Sequence, residues 1–160
     1  MALKLCNRTY YSWLFLVLAA SVLATAMSVP VETRLTVVLP LTAALTGFIY
    51  FLYRQHLDET KLFKDLFVEF NARYDRLNER LNRILLSPDT GPITDWEKDA
   101  LFDYFNLCAE EFLFYRAGYI DEEVWRSWRR GMDVFAENPR IRAEWERELK
   151  TDSYYGFQLD

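Results

Sequence analysis

The sequence has very few of the residues from which catalytic and metal sites are usually built. It contains one histidine, His56, and two cysteines, Cys6 and Cys108, in 160 residues. One histidine makes no metal site, and the spacings of zinc-protease, paired-cysteine, nucleophile-elbow, phosphate-loop and dinucleotide-binding motifs are all absent. Two unpaired thiols are typical of a reducing cytosol. The sequence therefore predicts no catalytic, cofactor-binding or metal-binding residue.

Charge is almost missing from the first 53 residues. Thr9 to Val31 is an uncharged run of 23 residues, and Leu35 to Tyr53 is another of 19. Because a helix needs about 20 residues to cross a hydrocarbon layer, each run is long enough to span a bilayer. Neither run contains an ionisable Asp, Glu, Lys, Arg or His, which argues against a transporter. The turn from Pro30 to Arg34 is so short that the two runs predict an antiparallel transmembrane hairpin.

The distribution of basic residues predicts the orientation of this hairpin. Basic residues occur before the first span, after the second span and once in the turn: Lys4, Arg8, Arg54, Lys61, Lys64 and Arg34. The positive-inside rule then places both termini in the cytoplasm. An alternative interpretation takes residues 1–26 as a signal peptide with a cleavage site at Ala24 to Ala26. Under this alternative Leu35 to Tyr53 is the one remaining membrane anchor, and the C-terminal part is still cytoplasmic.

Small residues recur at four-residue spacing in both runs. Ala20 and Ala24 lie in the first, and Ala43 and Gly47 lie in the second. Such pairs allow close helix packing, either between the two spans or in self-association. Pro40 removes one backbone hydrogen bond from the second helix.

The remaining two-thirds of the chain has the composition of a folded, acidic domain. Residues 54–160 carry 16 basic and 23 acidic side chains. The 27 aromatic residues of the chain are too many for a disordered tail. A net negative charge disfavours nucleic acid. We therefore predict a transmembrane unit over residues 1–53 and a cytosolic helical domain over residues 54–160.

The first cytosolic helix has one apolar seam. Its members recur at spacings of three and four: Phe63, Phe67, Phe70, Tyr74, Leu77, Leu81 and Ile84. The second span either continues into this helix or bends near Gln55 to Asp58. The seam packs on later helices or forms a dimeric coiled coil. Four arginines, Arg73, Arg76, Arg80 and Arg83, either pair with Glu69 and Glu79 or face anionic lipid headgroups.

Local signals divide the rest into three further helices. Ser87 to Pro92 is a loop, and the later boundaries are marked by a capping box, a glycine terminator and two N-caps: Thr94 with Glu97, Gly118, Asp121 and Asn138 before Pro139. The predicted fold class is therefore all-α, with an N-terminal two-helix transmembrane hairpin followed by a cytosolic bundle of about four helices.

Three groups of residues are candidates for interaction with a partner. Aromatic residues are enriched at protein interfaces, and arginines bind acidic groups. The candidates are Trp125 and Trp128, the basic group Arg126, Arg129 and Arg130, and the tail residues Tyr154, Tyr155 and Phe157. The arginines have an alternative role in pairing with Glu122, Glu123 and Asp133. The tail either packs on the bundle or forms an extended peptide for a partner.

Acidic residues on the second cytosolic helix form a separate candidate. Glu110, Glu111 and Arg116 lie on a mostly apolar helix and predict a buried polar network. Adjacent carboxylates diverge by about 100° around a helix, so they do not converge on one catalytic point.

One stretch of the sequence resembles a family of small bacterial membrane proteins of unknown function. It runs from Tyr104-Phe105-Asn106 through Arg116-Ala117-Gly118-Tyr119-Ile120-Asp121-Glu122-Glu123 and continues to Trp125 and Trp128. The resemblance covers roughly residues 95–150. It implies a two-helix anchor, an aromatic helical domain and a bacterial source, and it implies no site residues.

These observations predict a non-enzymatic, multi-pass protein of the bacterial inner membrane that presents an aromatic-rich helical domain at the cytoplasmic face for protein–protein interaction. Its expected partners are the lipid bilayer and either a protein partner or a second copy, with no cofactor and no nucleic acid. The alternatives are an accessory subunit of a larger membrane complex, an oligomeric membrane effector, and an enzyme with an unrecognised carboxylate site.

Overall fold

The protein is all-helical over the residues that can be described, as the sequence predicts. The computed structural model describes residues 8–151 and 153–158, with side chains from residue 13 onward. Lys4 and Cys6 lie outside this range. The described residues form five helices and no strand: α1 Arg8–Ser28, α2 Val31–Leu85, α3 Asp95–Arg116, α4 Glu122–Ala136 and α5 Pro139–Leu149. The chain divides into two compact units between Lys61 and Leu62.

The connection between α1 and α2 is shorter than the sequence suggests. Only Val29 and Pro30 separate the two helices, and Glu32 to Arg34 lie in the first turn of α2. The Thr33 amide donates to the Pro30 carbonyl at 3.1 Å, and Arg34 donates from Nη2 to the Val29 carbonyl at 3.3 Å. Proline pre-sets a helical φ at such a start, so the chain begins the next helix immediately.

Helix α2 corrects the predicted architecture. It runs for 55 residues and contains Pro40, the whole second apolar run and the later seam. The alternative in which the second apolar run continues into the helix of the later seam is confirmed. The prediction of a two-helix hairpin followed by a separate bundle of about four helices is wrong, because α2 belongs to both parts. The apolar run ends at Tyr53, but no glycine or proline follows it before Ser87. Helical hydrogen bonding therefore continues although the side chains change from apolar to polar.

Apolar side chains of α1 and of the first part of α2 point outward. Met27 and Leu35 are 77% and 80% exposed. Among the described residues, α2 is the one helix that is long and apolar enough to cross a membrane by length and composition, while Trp13–Ser28 is a shorter apolar segment. The small residues Ala20, Ala24, Ala43 and Gly47 are exposed as well. A Cβ atom at Gly47 would meet nothing within 4 Å, so close packing of α1 on α2 does not explain this glycine.

The helices of the C-terminal unit begin and end where the local chemistry predicts. The Glu97 carboxylate accepts from the amide and the hydroxyl of Thr94, both at 2.8 Å. Asp121 accepts from the Glu123 amide at 2.8 Å, and Asn138 accepts from the Arg140 amide at 3.0 Å. Gly118 has a φ of 85°, which favours glycine, and it ends α3.

Helix α3 is the centre of the C-terminal unit. Its buried side chains include Leu101, Tyr104, Phe105 and Cys108. From α2, the buried side chains are Leu66, Phe70, Leu77, Leu81 and Ile84. Phe67 was placed in this seam by the sequence pattern, but it is 39% exposed and Leu66 is buried instead. The seam packs on α3 and α4, through contacts such as Tyr74 with Tyr104 and Phe70 with Trp128.

Candidate interaction surface

Trp125 lies in the core of the C-terminal unit. It is 8% exposed, and its ring stacks on Tyr115 with centroids 4.9 Å apart and planes at 11°. Phe112 and Phe157 contact the same indole at 5.7 and 6.2 Å. The predicted role of Trp125 as a surface contact is therefore corrected, because its ring is used to join α3, α4 and the tail.

Trp128 lies one turn later on α4 and is only half-buried. Its ring stacks on Phe67 at 6.0 Å and meets the edge of Phe70 at 5.8 Å. Further ring contacts join Phe63 to Phe67 at 6.0 Å and Phe114 to Tyr119 at 6.1 Å. The two groups are linked through the buried Phe70, whose ring also contacts Phe114 at 5.7 Å. Phe67 is 39% and Tyr119 is 49% exposed. We call this set the aromatic patch: Phe63, Phe67, Phe114, Tyr119 and Trp128.

Of the aromatic patch, only Trp128 is an interaction candidate from the sequence alone. The helical spacing predicts Phe67 in the buried seam, and Tyr119 lies in the connection between α3 and α4, where no helical spacing applies. A helical repeat of 3.6 residues places both Leu66 and Phe67 near the apolar side, so spacing does not decide which of them faces the core. In the structure Leu66 is buried in the core, while Phe67 remains partly exposed and stacks on Trp128 of α4.

The three arginines of α4 have different surroundings. Arg126 is exposed and lies 3.9 Å from the Glu122 carboxylate, and Arg130 is exposed too. Arg129 is mostly covered: it pairs with Asp133 at 3.1 Å and donates to the Gln158 carbonyl at 2.8 Å. The predicted pairing with Glu122 and Asp133 is confirmed. The arginines do not form one basic cluster, because Arg129 is directed to the tail.

The tail packs on the bundle. Phe157 is 2% exposed and lies between Phe112 and Trp145, each with a centroid distance of 5.5 Å. Tyr154 is buried, and its hydroxyl donates to Glu148 at 3.4 Å, while Tyr155 is half exposed. Burial, together with the charge and the hydrogen bond of Glu148, raises the pKa of Tyr154 to about 12. Of the three tail candidates, only Tyr155 is available at the surface.

The buried polar network predicted on α3 is present in a different form. Arg73 binds Glu110 through two bonds, with the longer from Nη2 to Oε1 at 3.1 Å. Glu111 is buried beside this pair, whereas Arg116 is exposed and lies over the Phe112 ring at 5.6 Å. Burial raises the pKa of Glu111, Arg73 lowers it and Glu110 raises it, and together they bring it to about 8. Glu111 is therefore mainly protonated at neutral pH.

The remaining titratable groups near Glu111 do not form a recognisable reaction centre. Burial raises the pKa of the Cys108 thiol well above its ordinary value, so this thiol is a poor nucleophile. Burial also raises the pKa of Tyr104. Within residues 8–151 and 153–158, no group of three or more His, Cys, Asp or Glu side chains could hold a metal ion.

The arginines of α2 are engaged mainly in pairs. Arg83 pairs with Glu79 at 2.9 Å, as predicted from their spacing. Arg73 pairs with Glu110 of α3 instead of Glu69 one turn earlier. Arg80 lies 3.9 Å from Asp103. The arginine stripe is therefore broken up by acidic neighbours from its own helix and from α3.

Comparison with known proteins does not add a family to this description. No family model, no curated protein and no solved structure matches the chain.

Proposed function

We propose that this chain is a non-enzymatic integral membrane protein of the bacterial inner membrane. In this proposal, α1 and the first part of α2 cross the bilayer twice, and both termini lie in the cytoplasm. The supporting observation is the outward direction of the apolar side chains over Trp13–Ser28 and the first part of α2. An apolar surface of this length is unfavourable in water and is favourable in lipid.

The C-terminal unit then acts as a protein-binding module at the cytoplasmic face. The observation that carries this role is the aromatic patch, since Phe67 and Tyr119 remain 39% and 49% exposed on a well-packed unit. Large exposed aromatic side chains are enriched at protein contacts, where burying them from water contributes most of the affinity.

Membrane insertion and orientation are tested by cysteine labelling. The labelled positions are Thr33 and Thr90, which are both exposed. Thr33→Cys and Thr90→Cys are made separately in a chain whose own thiols are removed by Cys6→Ala and Cys108→Ala. A membrane-impermeant maleimide should label position 33 in spheroplasts and position 90 only after lysis. Labelling of position 90 in intact spheroplasts contradicts the orientation. Recovery of the chain in the supernatant after high-speed sedimentation contradicts the membrane location.

The protein-binding role is tested by photo-crosslinking in cells. A photoreactive phenylalanine analogue at position 67 should form a discrete crosslinked product with one partner. The matched control carries it at position 86, because Leu86 directly follows α2 and is 78% exposed but lies outside the aromatic patch. Equal crosslinking from both positions, or none from position 67, contradicts the proposal.

A second candidate role is supported by the membrane helices themselves. Ala43 and Gly47 are exposed and are not used by packing within the chain. Such a surface allows another membrane helix to approach closely, as in an accessory subunit of a larger complex or an oligomeric effector. Gly47→Leu should abolish a stoichiometric complex in mild detergent if this role holds, while Leu39→Ile should leave it intact.

A further inference from the structure

Residues 154–158 occupy a site that has the features of a peptide-binding pocket. Phe157 inserts between one aromatic ring from each of three helices: Phe112 of α3, Trp125 of α4 and Trp145 of α5, at centroid distances of 5.5, 6.2 and 5.5 Å. The Arg129 guanidinium lies 5.4 Å from the centre of the same ring. We call this arrangement the Phe157 pocket. Three aromatic rings and one cation therefore surround the Phe157 side chain, and both kinds of group bind aromatic rings favourably.

The same arginine also contacts the main chain of the tail. Arg129 donates from Nη1 to the carbonyl of Gln158 at 2.8 Å, one residue after the inserted ring. A carbonyl is present at every residue of every peptide, so this bond recognises backbone and the pocket recognises the ring. Combining a main-chain bond with a side-chain pocket is how extended peptides are commonly bound by folded domains.

The tail is held as an irregular segment outside the helices. It follows the end of α5 at Leu149, and its own turn is closed by a bond from the Phe157 amide to the Tyr154 carbonyl at 2.8 Å. Tyr155 adopts a φ of 53°, a left-handed conformation that is unfavourable for a tyrosine, and Gly156 follows with a φ of 77°. Tail binding therefore works against local backbone strain, which favours its release.

One residue that lines the Phe157 pocket has a buried polar atom without a hydrogen bond. Trp145 is buried, and its indole Nε1 has no hydrogen-bond partner among the described residues.

We propose that the Phe157 pocket binds an extended peptide segment that carries an aromatic side chain, and that residues 154–158 are a displaceable internal ligand of this pocket. The incoming segment belongs to a protein partner and presents a Phe or Tyr ring followed by a main-chain carbonyl for Arg129. This inference adds a second surface to the protein-binding role proposed above. It is independent of the aromatic patch and can fail or succeed separately from it.

The test uses the full chain in detergent with a labelled synthetic peptide. The peptide is Ser-Tyr-Tyr-Gly-Phe-Gln-Leu-Asp, which copies residues 153–160, and the protein is shortened to end at Ser153. Fluorescence anisotropy should show saturable binding to the shortened chain and at least tenfold weaker binding to the full chain, whose own tail competes. The control peptide carries Phe157→Ala and should bind at least tenfold more weakly. A shortened chain that stays helical and does not bind the peptide overturns the proposal.

Hydrogen exchange of the unmodified protein decides the question if the shortened chain does not fold. Deuterium uptake is compared between a peptide covering residues 153–158 and one covering the middle of α3. The tail should exchange at least tenfold faster than α3, because its release does not require the helices to open. Equal protection of both segments identifies the tail as an integral part of the core and overturns the proposal.

Discussion

The Arg140 guanidinium forms an ion pair with the Glu97 carboxylate, from Nη2 to Oε2 at 2.9 Å, and both side chains are nearly buried. Arg140 also donates to the carbonyls of Gly91 and Pro92, at 2.8 and 3.3 Å. One side chain of α5 therefore joins the start of α3 to the loop before it. Burial raises the pKa of Glu97, but the bonds from Thr94 and the Arg140 charge outweigh it, so the pKa is lowered overall.

Arg140→Met should strongly destabilise the C-terminal unit. The substitution leaves the buried Glu97 charge without its cation and removes the bonds to the loop, which costs about 3 kcal/mol. Arg130→Met is the matched control because Arg130 is exposed on α4. The free energy of unfolding is measured by urea titration in mild detergent. A loss equal to that of the control would show that the ion pair contributes little.

Stability should fall as the pH rises from about 4.5 to about 8 because of Glu111. Its pKa is about 8 in the folded protein and ordinarily 4.5, so the folded state binds the proton more tightly. The stabilisation that Glu111 provides is complete below about pH 4.5. It is lost as the pH rises from there through about 8, and the free energy of unfolding falls by up to ~1.4 kcal/mol per pH unit.

Glu111→Gln should remove this part of the pH dependence and raise the stability at pH 8. The groups around Glu111 are Arg73 and Glu110, with Tyr74, Tyr104 and Cys108 nearby. Glu123→Gln is the control, since Glu123 is exposed. Melting temperatures at pH 5 and pH 8 provide the measurement. An unchanged difference between the two pH values in Glu111→Gln would contradict the assignment.

Substitutions of two aromatic residues, Trp125 and Phe67, should distinguish the core from the aromatic patch. Trp125→Ala removes a ring that contacts α3 and the tail and should cost about 3–5 kcal/mol. Phe67→Ala removes a partly exposed ring and should cost about 1 kcal/mol. Thermal unfolding by circular dichroism compares the two variants with the unmodified protein. A larger loss from Phe67→Ala would place that ring in the core and weaken the proposed interaction surface.

Two glycine-to-alanine substitutions should change the stability of the protein in opposite directions. Gly118→Ala places a Cβ at a φ of 85° and should destabilise the protein by about 1–2 kcal/mol. Gly131 lies inside α4, and a Cβ there meets nothing within 4 Å. Gly131→Ala should therefore stabilise the protein by roughly 0.5–1 kcal/mol, through the better helix propensity of alanine. Equal effects in unfolding titrations would contradict the assigned backbone conformations.

The predictable features are those that depend on a few neighbouring residues. Thr94, Asp121 and Asn138 were expected to start helices, and each is found at a helix start because its short polar side chain or its partner satisfies free amides nearby. The end of α3 at Gly118 follows from the same local reasoning. The pairing of Arg83 with Glu79 also needed no knowledge of other helices.

Partners that come from distant parts of the chain were not predictable. Arg73 has Glu69 one turn earlier, yet it binds Glu110, which is 37 residues away. Trp125 and Trp128 are similar in the sequence, but only the first is enclosed by Phe112, Tyr115 and Phe157. Which of two equivalent side chains is buried depends on the helices that pack against them.

The sequence by itself determined the helical content, the helix boundaries of the C-terminal part and the presence of a span of membrane-compatible length, because these depend on local hydrogen bonding and hydropathy. The tertiary structure decided the exposure of Phe67, the burial and protonation of Glu111 and the enclosure of Phe157. Each of these follows from desolvation by side chains that are distant in sequence, and desolvation is set only when the helices pack together.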